Sequence, residues 1–366
     1  MQKRKLGQTG LEVSVISFGC IKLPQIDADL AAECLSLALD LGLNFLDTAR
    51  NYGDSEEKIG RAISGRRGEF HLATKTTNRT ADGLRAELGT SLQNLRTDWV
   101  DLYQLHSVSD QATWKQVMGP GGALEGARRA QDEGLVRHVG ITIHRALPVM
   151  RAAIESGEFA TLMVAYCPPD PEGVGAEIIP AAAERGMGVI VMKPLNGGAL
   201  SLPEEVRPEE GDPIARDSLR FVLGHRGVTC AIPGMRAVRE VRENCTVGER
   251  FEPLTEAEER ALFERVAPLA GRFRYDQFCL RCGYCQPCPN DVPIPEVFRA
   301  LMMVRSYPAN LRHLGTELYA SLPVTPEACT ECRECVEKCP AGLDIPARLR
   351  EAAAEFGGTA SSSVPA

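Results

Sequence analysis

Residues 69–106 read EFHLATKTTNRTADGLRAELGTSLQNLRTDWVDLYQLH, and this stretch contains the repeating unit that decides the fold. Its two ends, EFHLATK and WVDLYQLH, are short apolar runs with the composition of buried strands. The middle part, ADGLRAELGTSLQNLR, spaces its apolar residues as an amphipathic helix does. A strand, a helix and a second strand in this order are typical of a parallel sheet with both faces covered.

The same alternation continues on both sides of this unit, from about residue 15 to residue 246. The candidate strands are VSVISFG, LNFLDT, EFHLATK, WVDLYQLH, VRHVGIT, TLMVAY, GVIVMK and GVTCAIP. Eight repeats in this length match the usual size of a TIM barrel, so we predict a (β/α)8 barrel of the α/β class. An open doubly wound sheet is disfavoured because no strand is followed by GxGxxG with a suitably spaced acidic residue. The N-terminal KRKLGQTGLEVS predicts a small hairpin covering one end of the barrel.

In such a barrel, catalytic residues are expected at the C-terminal ends of the strands. The second candidate strand ends at Asp47, the third at Lys75 and the fourth at His106, and Tyr52 follows on the adjoining loop. An ammonium group beside a phenol lowers the tyrosine pKa, a carboxylate holds the lysine, and a histidine can orient a carbonyl group. Each residue alone could be structural, but their joint placement predicts a proton-donating site.

Two cysteine-rich runs near the C-terminus predict iron-sulfur chemistry. The runs are CLRCGYCQPCP, with Cys279, Cys282, Cys285 and Cys288, and CTECRECVEKCP, with Cys329, Cys332, Cys335 and Cys339. The second run has the CxxCxxCxxxCP spacing of bacterial ferredoxins, in which the fourth cysteine binds the other cluster of a pair. We therefore predict two 4Fe-4S clusters. If this crosswise rule holds, Cys339 joins the first three cysteines of the first run, and Cys288 joins the first three of the second.

Zinc and disulfides are the alternatives for these cysteines. Zinc normally uses two separated CxxC pairs and has no need of a third thiolate at the same spacing. A disulfide scaffold would be a short secreted chain. One departure from the ferredoxin pattern is that only two residues separate Cys285 from Cys288. Between the runs, Val297, Leu301 and Val304 share one helical face, so we predict a mainly helical ferredoxin-like domain.

The chain has 366 residues, of which 44% are hydrophobic, and a net charge of -8. We assign residues 1–250 to the barrel, 251–271 to a connecting helix, 272–350 to the cluster domain and 351–366 to a disordered tail. No apolar stretch is long enough for a membrane span, and MQKRKLGQTG lacks the apolar core of a signal peptide. We therefore expect a cytoplasmic protein with no membrane partner. The negative charge also argues against a nucleic-acid partner.

The segments LDTARNYGDSEEKIGRAI, LATK and DLYQLH are similar to signature segments of the aldo-keto reductases, and this resemblance covers residues 1 to about 250. It implies that Asp47, Tyr52, Lys75 and His106 form the catalytic tetrad, with Tyr52 as general acid in carbonyl reduction and as base in the reverse direction. It also implies NADP or NAD as coenzyme, bound without a Rossmann fold. The cysteine-rich part resembles a subgroup that joins such a barrel to a dicluster domain.

The resemblance implies a nicotinamide site at the ends of the fifth and sixth strands, where this chain departs from the family. GITIH stands in place of the family's GVSN, so Thr142 keeps a hydroxyl group and Ile143 lacks the amide. His144 follows and is a candidate replacement. Met163 stands in place of a glutamine, while Tyr166 occupies a position where an aromatic ring lies near the nicotinamide.

Two later segments resemble the parts of the family that bind the rest of the coenzyme. VMKPLNGGAL looks like the pyrophosphate loop, with Pro194, Leu195 and Gly197 as candidate contacts. IPGMRAVREVREN resembles the adenosine segment. Its candidates are Gly234, Arg236, Glu240, Glu243 and Asn244, where Arg236 suits a 2'-phosphate and Glu240 stands where many NADPH-preferring members have arginine.

Three classes of function remain open from the sequence. The favoured class is an NAD(P)H-dependent reductase of aldehydes or ketones, because the tetrad is complete. The second is an iron-sulfur electron-transfer protein that uses the barrel as a docking scaffold, and the third is a non-catalytic regulatory subunit. The expected partners are a small carbonyl or alcohol substrate and an external electron carrier. The sequence does not identify the physiological substrate, because pocket-forming loops vary most.

Overall fold

The computed structural model describes residues 1–144, 146–168, 170, 173–202, 206–270, 279, 281–306, 311–339 and 342–357. The chain forms two compact units, Met1–Phe263 and Glu264–Ala366. The division after residue 263 falls inside the segment 251–271 that the sequence assigns to a connecting helix. Apart from the start of the tail, the individual segment limits stay predictions.

The first unit contains a two-stranded hairpin and an eight-stranded parallel sheet. The strands are β1 (Lys3–Lys5), β2 (Glu12–Ser14), β3 (Phe18–Gly19), β4 (Phe45–Asp47), β5 (His71–Thr76), β6 (Val100–Leu105), β7 (Val136–Ile143), β8 (Thr161–Ala165), β9 (Gly188–Met192) and β10 (Cys230–Ile232). Strands β3 to β10 pair in chain order, each parallel to the next. This order is the one that the repeated strand and helix pattern predicts.

Contacts between the first and last strands close the sheet into a barrel. Parallel bridges join Ile16 to Ala231 and Gly19 to Gly234. The N–H of Gly19 donates to the carbonyl of Pro233 at 3.0 Å. A Cβ at position 19 would lie 2.6 Å from the Ile232 carbonyl oxygen, so only glycine lets the two strand ends approach this closely. The predicted (β/α)8 barrel is confirmed.

Helices follow the strands and cover the outside of the barrel. They are α1 (Ala28–Asp40), α2 (Ser55–Ile63), α3 (Ala81–Leu95), α4 (Gln111–Met118), α5 (Ala123–Asp132), α6 (Leu147–Ser156), α7 (Ile179–Glu184), α8 (Pro213–Gly224) and α9 (Val238–Glu249). The next helix in the chain, α10 (Glu256–Ala270), includes the boundary between the two units. Local sequence explains where they start: Asp27 accepts from the Leu30 N–H at 2.8 Å to cap α1, and Thr80 caps α3. Along α3, Leu84 and Leu88 are fully buried, as its helical spacing predicts.

The N-terminal hairpin lies at the end of the barrel opposite the C-terminal strand ends. Strands β1 and β2 pair antiparallel, and the turn between them brings Gln8 to Gly186, whose carbonyl accepts from the Gln8 N–H at 3.0 Å. Gly7 in this turn has φ +54, and a Cβ there would lie 2.3 Å from the backbone nitrogen of Gly188, the first residue of β9. As predicted, the hairpin therefore lies over one end of the barrel, where it contacts the start of β9.

The described part of the second unit is helical. It contains α11 (Ile294–Ser306), α12 (His313–Ala320), α13 (Glu334–Glu337) and α14 (Ile345–Gly357). Val297 and Leu301 are buried on α11, as their spacing predicts. Gly315 lets α12 approach α11, because a Cβ at this position would lie 2.7 Å from the Ala300 carbonyl oxygen. The stacked rings of Tyr319 and Phe356 connect α12 to α14, with centroids 3.9 Å apart.

Helix α14 corrects the predicted extent of the disordered tail. The sequence assigns residues 351–366 to the tail, but residues 351–357 continue the helix, with Ala352 and Phe356 buried. The spacing of these apolar residues places them on one face of the helix. An argument from composition alone does not detect such spacing. Residues 358–366 lie outside the described part of the chain. Within the described ranges, no helix is both long and apolar enough to cross a bilayer.

Candidate functional site

The three residues predicted from strand ends, and Tyr52 from the adjoining loop, lie together at the C-terminal ends of β4, β5 and β6. The Nζ atom of Lys75 lies 2.5 Å from Asp47 Oδ2 and 3.5 Å from the Tyr52 hydroxyl oxygen. It also donates to the Thr48 carbonyl at 2.7 Å. The rings of Tyr52 and His106 meet edge to face, with centroids 5.8 Å apart. Lys75 thus connects a carboxylate to a phenol that stands beside an imidazole.

Burial gives this group its electrostatic character. Asp47, Lys75 and His106 are each only 1% exposed. Burial raises the pKa of Asp47, whereas the charge of Lys75 and hydrogen bonds from Lys75 and Gln104 act to lower it. The side-chain amide of Gln104 donates to Asp47 Oδ1 at 2.9 Å, so both carboxylate oxygens are held. The Asp47 carboxylate beside the Lys75 ammonium is therefore fixed in place.

His106 is surrounded by cations. Burial, followed by the charges of Lys75, Arg79 and Lys193, holds the pKa of His106 well below its usual range. A histidine with such a lowered pKa is neutral at neutral pH. A neutral imidazole keeps one N–H, which it can donate to a carbonyl oxygen. The arrangement gives a hydrogen-bond donor next to the Tyr52 hydroxyl.

The loop that carries Tyr52 is fixed to the neighbouring strand. Its backbone makes two successive turns, in which the N–H of Tyr52 donates to Ala49 and the N–H of Ser55 donates to Tyr52, both at 3.0 Å. Glu56 is fully buried at the start of α2 and accepts from the Thr74 hydroxyl at 2.7 Å. Its other oxygen pairs with Arg50. Since Thr74 directly precedes Lys75, Glu56 ties the tyrosine loop to the lysine strand.

Three residues near the site were missed from the sequence. Gln104 stands two positions before His106 in DLYQLH, so strand alternation places both on the inner face of the barrel. Lys193 directly follows β9 and satisfies the same strand-end rule that selected Lys75. Arg79 follows β5, and its guanidinium donates to the His106 carbonyl at 2.7 Å and to the Ser107 carbonyl at 3.2 Å. The strand-end rule could have found Lys193. It could not have found Arg79, which lies on a loop.

The eight cysteines of the two runs separate into two groups of four in the second unit. Cys279, Cys282, Cys285 and Cys339 line one cavity. Cys288, Cys329, Cys332 and Cys335 line another, and Cys285 lines this cavity as well. Each group takes three cysteines from one run and the fourth from the other. This grouping is the crosswise arrangement expected from the spacing.

Thiol electrostatics reflect the same grouping. Burial, with the nearby thiols of Cys282 and Cys339, raises the pKa of Cys279 to about 12. Burial also raises the pKa of Cys335, with contributions from the other members of its own group, including Cys288. The one-residue shortening of the first run therefore does not keep Cys288 from the second group.

The composition of the two groups suits iron-sulfur clusters. Each group offers four thiols, and in a four-iron cluster each cysteine binds a different iron atom. Apolar residues such as Ile294, Phe298 and Leu349 complete the walls of the two cavities. The residues present therefore fit two 4Fe-4S clusters.

Comparison with known proteins decides the family of the barrel. A family model described as the aldo/keto reductase family matches residues 15–264. The chain belongs to the aldo/keto reductase family. A second model, described as a 4Fe-4S dicluster domain, matches residues 278–344. This chain is therefore an aldo/keto reductase with a dicluster domain, and the sequence-based recognition of both is confirmed.

Relatives of this aldo/keto reductase match the barrel over most of their length. An uncharacterized oxidoreductase of Bacillus subtilis, YqkF, is 28% identical over 72% of this chain and 95% of that protein. L-galactose dehydrogenase of Arabidopsis thaliana is 26% identical over 74% of this chain and 96% of that enzyme. The holo form of an aldo-keto reductase from Bacillus halodurans superimposes with a TM-score of 0.61 at 29% identity, covering 73% of this chain and 96% of the other.

The family resemblance implies that residues at the ends of the fifth and sixth strands contact nicotinamide. In this aldo/keto reductase, only some of these residues lie near the tetrad. Thr142 is fully buried, and its hydroxyl accepts from the Ser107 N–H at 2.9 Å. His144 lies next to this pair, with Nδ1 3.3 Å from the Ser107 hydroxyl and its ring centroid 6.2 Å from that of His106. Thr142 and His144 therefore adjoin the tetrad.

Tyr166 is not brought to this group. Its ring stacks on Phe221 with centroids 5.5 Å apart and meets His225 edge-on, so it packs in the layer between strands and helices. The physical reason is strand parity. Met163 and Ala165 share the inner face of β8, and the next residue turns outward. Tyr166 directly follows β8, and the structure does not bring it to the tetrad.

The segment resembling the pyrophosphate loop forms a tight turn. Asn196–Gly198 is a short 3-10 turn with Gly197 at φ +64. Within it the N–H groups of Gly198 and Leu200 both donate to the Leu195 carbonyl, at 2.8 and 3.1 Å. These two N–H groups are therefore already used inside the loop. Pro194, which precedes the turn, contributes no N–H.

The candidate adenosine residues lie at and along α9. Glu240, in its first turn, accepts from the backbone N–H of Arg236 at 2.8 Å. The exposed guanidinium of Arg236 points toward Gln25 Oε1, 3.5 Å away. Glu243 pairs with Arg239 at 2.8 Å and with Arg207 at 3.5 Å. The structure thus places a carboxylate beside Arg236. Gly234 precedes this segment, and Asn244 is buried on α9.

Proposed function

We propose that the barrel catalyses NAD(P)H-dependent reduction of an aldehyde or ketone, or the reverse oxidation of an alcohol. The observation that carries this proposal is the position of Lys75 between Asp47 and Tyr52, at 2.5 Å and 3.5 Å. An ammonium this close to a phenol favours the phenolate and makes the hydroxyl a better acid. Family membership supports the same chemistry.

Each residue of the tetrad has a separate task in this proposal. Tyr52 donates the proton to the carbonyl oxygen in reduction and accepts it in oxidation. Lys75 carries the positive charge that tunes Tyr52, and Asp47 fixes that charge. His106, neutral because of its lowered pKa, donates a hydrogen bond that orients the carbonyl group. Bound nicotinamide coenzyme supplies the hydride in reduction and takes it in oxidation.

The residues that would hold the coenzyme follow from the site. Thr142 and His144 adjoin the tetrad and offer a hydroxyl and an imidazole for a carboxamide. Pro194, Leu195 and Gly197 would face the pyrophosphate. Gly234, Arg236, Glu240, Glu243 and Asn244 would surround the adenosine half. We leave Tyr166 out because its ring packs against Phe221.

The coenzyme preference is expected to be modest, because Arg236 and Glu240 oppose each other. Arg236 attracts a 2'-phosphate, whereas the Glu240 carboxylate beside it repels a phosphate and suits a ribose hydroxyl. We expect Glu240→Ala to favour NADPH binding. The dissociation constant of NADH divided by that of NADPH should rise by about two- to tenfold, which is the range of one partly exposed charge interaction. Fluorescence titration of both coenzymes measures this ratio.

The control for this prediction is Glu249→Ala, which removes an exposed carboxylate from the other end of the same helix. It should leave the coenzyme ratio unchanged. A native preference for NADPH of about a thousandfold, unaffected by Glu240→Ala, would mean that Glu240 points away from the bound coenzyme.

The dicluster domain favours a second activity, one-electron exchange with an outside carrier. Its support is the pair of complete four-cysteine groups, for which we propose the crosswise ligand sets. Nicotinamide chemistry moves two electrons as hydride, whereas a 4Fe-4S cluster accepts one. We therefore propose that the barrel and the clusters work without direct electron transfer between them.

Binding of NADPH and NADH to the purified, cluster-loaded full chain tests the proposed function first. We expect saturable binding, followed by coenzyme oxidation when an activated aldehyde such as 4-nitrobenzaldehyde is added. No binding of either coenzyme would reject the reductase and favour the electron-transfer or regulatory alternative.

A further inference from the structure

Gln104 makes an unusual contact for a residue inside a barrel. It is fully buried on β6, and its Nε2 donates to Asp47 Oδ1 at 2.9 Å. The other carboxylate oxygen of Asp47 is held by Lys75 at 2.5 Å. Gln104 and Lys75 are also direct neighbours in the pairing of β5 with β6. Two adjacent strands therefore each fix one oxygen of the same carboxylate.

The other end of the Gln104 amide is left unsatisfied. Among the described residues, its buried Oε1 atom has no hydrogen-bond partner. Such an atom is costly to bury, and buried amides usually have both ends bonded. Turning the amide around would not help, because Oε1 would then face a carboxylate oxygen, and two acceptors repel each other. The observed orientation is the one that serves Asp47.

The neighbouring strands leave room for this orientation. In the sheet, Gln104 pairs with Gly140, and Gly140 pairs with Thr161. A Cβ at Gly140 would lie 3.2 Å from Gln104 Cγ and 2.2 Å from the Thr161 hydroxyl oxygen. A side chain at position 140 would therefore displace Gln104 or Thr161. The space that Gln104 occupies exists because residue 140 has no side chain.

We propose that Gln104 is a positioning residue of the site, whose amide N–H holds the Asp47 carboxylate toward Lys75 and so supports the charge beside Tyr52. Its role in turnover rests on the proposed reductase function. Its effect on Asp47 does not, because the hydrogen bond is present without any substrate. The two statements can therefore be tested separately.

The chemical consequence is a shift in the ionisation of Asp47. A hydrogen bond donated to the charged form of a carboxyl group lowers its pKa, so loss of the Gln104 N–H raises the pKa of Asp47. The Asp47 carboxylate is then protonated at a higher pH than in the native protein. The acid limb of the activity profile, where activity falls as the pH is lowered, therefore moves to higher pH. A hydrogen bond to a charged group is worth enough to move this limb by about one to two pH units.

The other groups around Asp47 do not obscure this shift. Lys75 faces it from β5 and Tyr52 from the following loop, and two thiols approach from the strands on the other side. Burial raises the pKa of Cys20, and it raises the pKa of Cys230 to about 12. Both thiols stay protonated in an acid titration. His106, whose pKa burial and the charge of Lys75 hold well below its usual range, also titrates on the acid side, so the labelled infrared band and not the acid limb assigns a shift to Asp47.

The test compares Gln104→Leu and Gln104→Met with Leu102→Met in the full chain. Leu102 lies on the same strand and the same face two residues away, so its variant controls for repacking inside the barrel. The Asp47 carboxyl group is titrated by infrared spectroscopy on protein containing 13C-labelled aspartate, with Asp47→Asn identifying the band. The pH profile of kcat for 4-nitrobenzaldehyde reduction is recorded in parallel.

We expect both Gln104 variants to raise the infrared midpoint and the acid limb of kcat by the same one to two pH units, with Leu102→Met unchanged. Gln104→Met, which keeps nearly the same volume, answers the question if Gln104→Leu does not fold. An unshifted midpoint in a folded Gln104 variant would overturn this inference and leave the reductase proposal standing. A shifted midpoint without any carbonyl reduction would support Gln104 and reject the reductase.

Discussion

Tyr52→Phe is expected to lower kcat for carbonyl reduction by about a hundred- to ten-thousandfold, the usual contribution of a positioned general acid. The substitution removes only the hydroxyl group that lies 3.5 Å from Lys75 Nζ. The ring and its edge contact with His106 remain. Coenzyme dissociation constants should therefore stay close to those of the native protein. Steady-state kinetics and coenzyme titration of the two proteins measure both quantities.

A matched control for this prediction is Tyr103→Phe. Tyr103 is also buried, but it lies on the outer face of β6, where its hydroxyl donates to the Leu84 carbonyl at 3.4 Å. Loss of that hydroxyl should change stability slightly and leave kcat unchanged. If Tyr52→Phe kept most of the native rate, another group would have to donate the proton. Equal losses in the two variants would indicate a structural effect.

Lys75→Met should also abolish most of the activity, but it is a less specific test. It removes the charge that tunes Tyr52 and leaves Asp47 buried without its main partner. Breaking a buried pair in this way typically destabilises a protein by about 3–5 kcal/mol. A lower thermal midpoint is therefore expected together with the lost rate, whereas Tyr52→Phe should fold normally.

Cys339→Ala is expected to remove the cluster of the first cysteine run, although Cys339 belongs to the second. The loaded chain should contain about eight iron and eight sulfide, and the variant about four of each. The reason is that Cys339 lines the same cavity as Cys279, Cys282 and Cys285. Iron and sulfide analysis after anaerobic reconstitution measures the loss. Cys34→Ala, a buried cysteine of α1, should retain both clusters.

Double variants identify which cluster is lost. Cys339→Ala with Cys282→Ala should still contain about four iron, because both residues serve one cluster. Cys339→Ala with Cys332→Ala should contain almost none, since Cys332 lines the other cavity. The opposite pattern, with Cys339 and Cys332 acting on one cluster, would reject the crosswise ligand sets.

The sequence was sufficient for the barrel and for the grouping of the four tetrad residues, because both depend on local patterns, whereas their catalytic roles stay predictions. Apolar strands and amphipathic helices repeat eight times, and the strand-end rule selects Asp47, Lys75 and His106 directly. Tyr52 was selected as a phenol on the loop that follows Asp47, and the turns that place this loop residue are not encoded in the pattern. The cysteine spacing likewise predicted the exchange of Cys288 and Cys339 between the two groups.

Other features depend on contacts that no local pattern contains. The contact of Gln104 with Asp47 joins residues 57 positions apart, and it became visible only when β4 and β6 were placed in one barrel. Tyr166 was assigned to the nicotinamide through resemblance, but its ring packs against Phe221 and His225. The helix at residues 351–357 was missed because the tail was judged by composition. Its burial depends on Tyr319, far back in the sequence.

The most direct test of the central claim is to follow deuterium from the reduced coenzyme into the product. In this experiment the full, cluster-loaded chain reduces 4-nitrobenzaldehyde under anaerobic conditions. Coenzyme labelled on the transferred position should place one deuterium on the carbinol carbon of the product, and Tyr52→Phe should suppress this product. The cluster absorbance should stay unbleached by the coenzyme and be bleached by dithionite. Rapid bleaching by the coenzyme, or product without deuterium, would contradict the account and indicate an electron path between the barrel and the clusters.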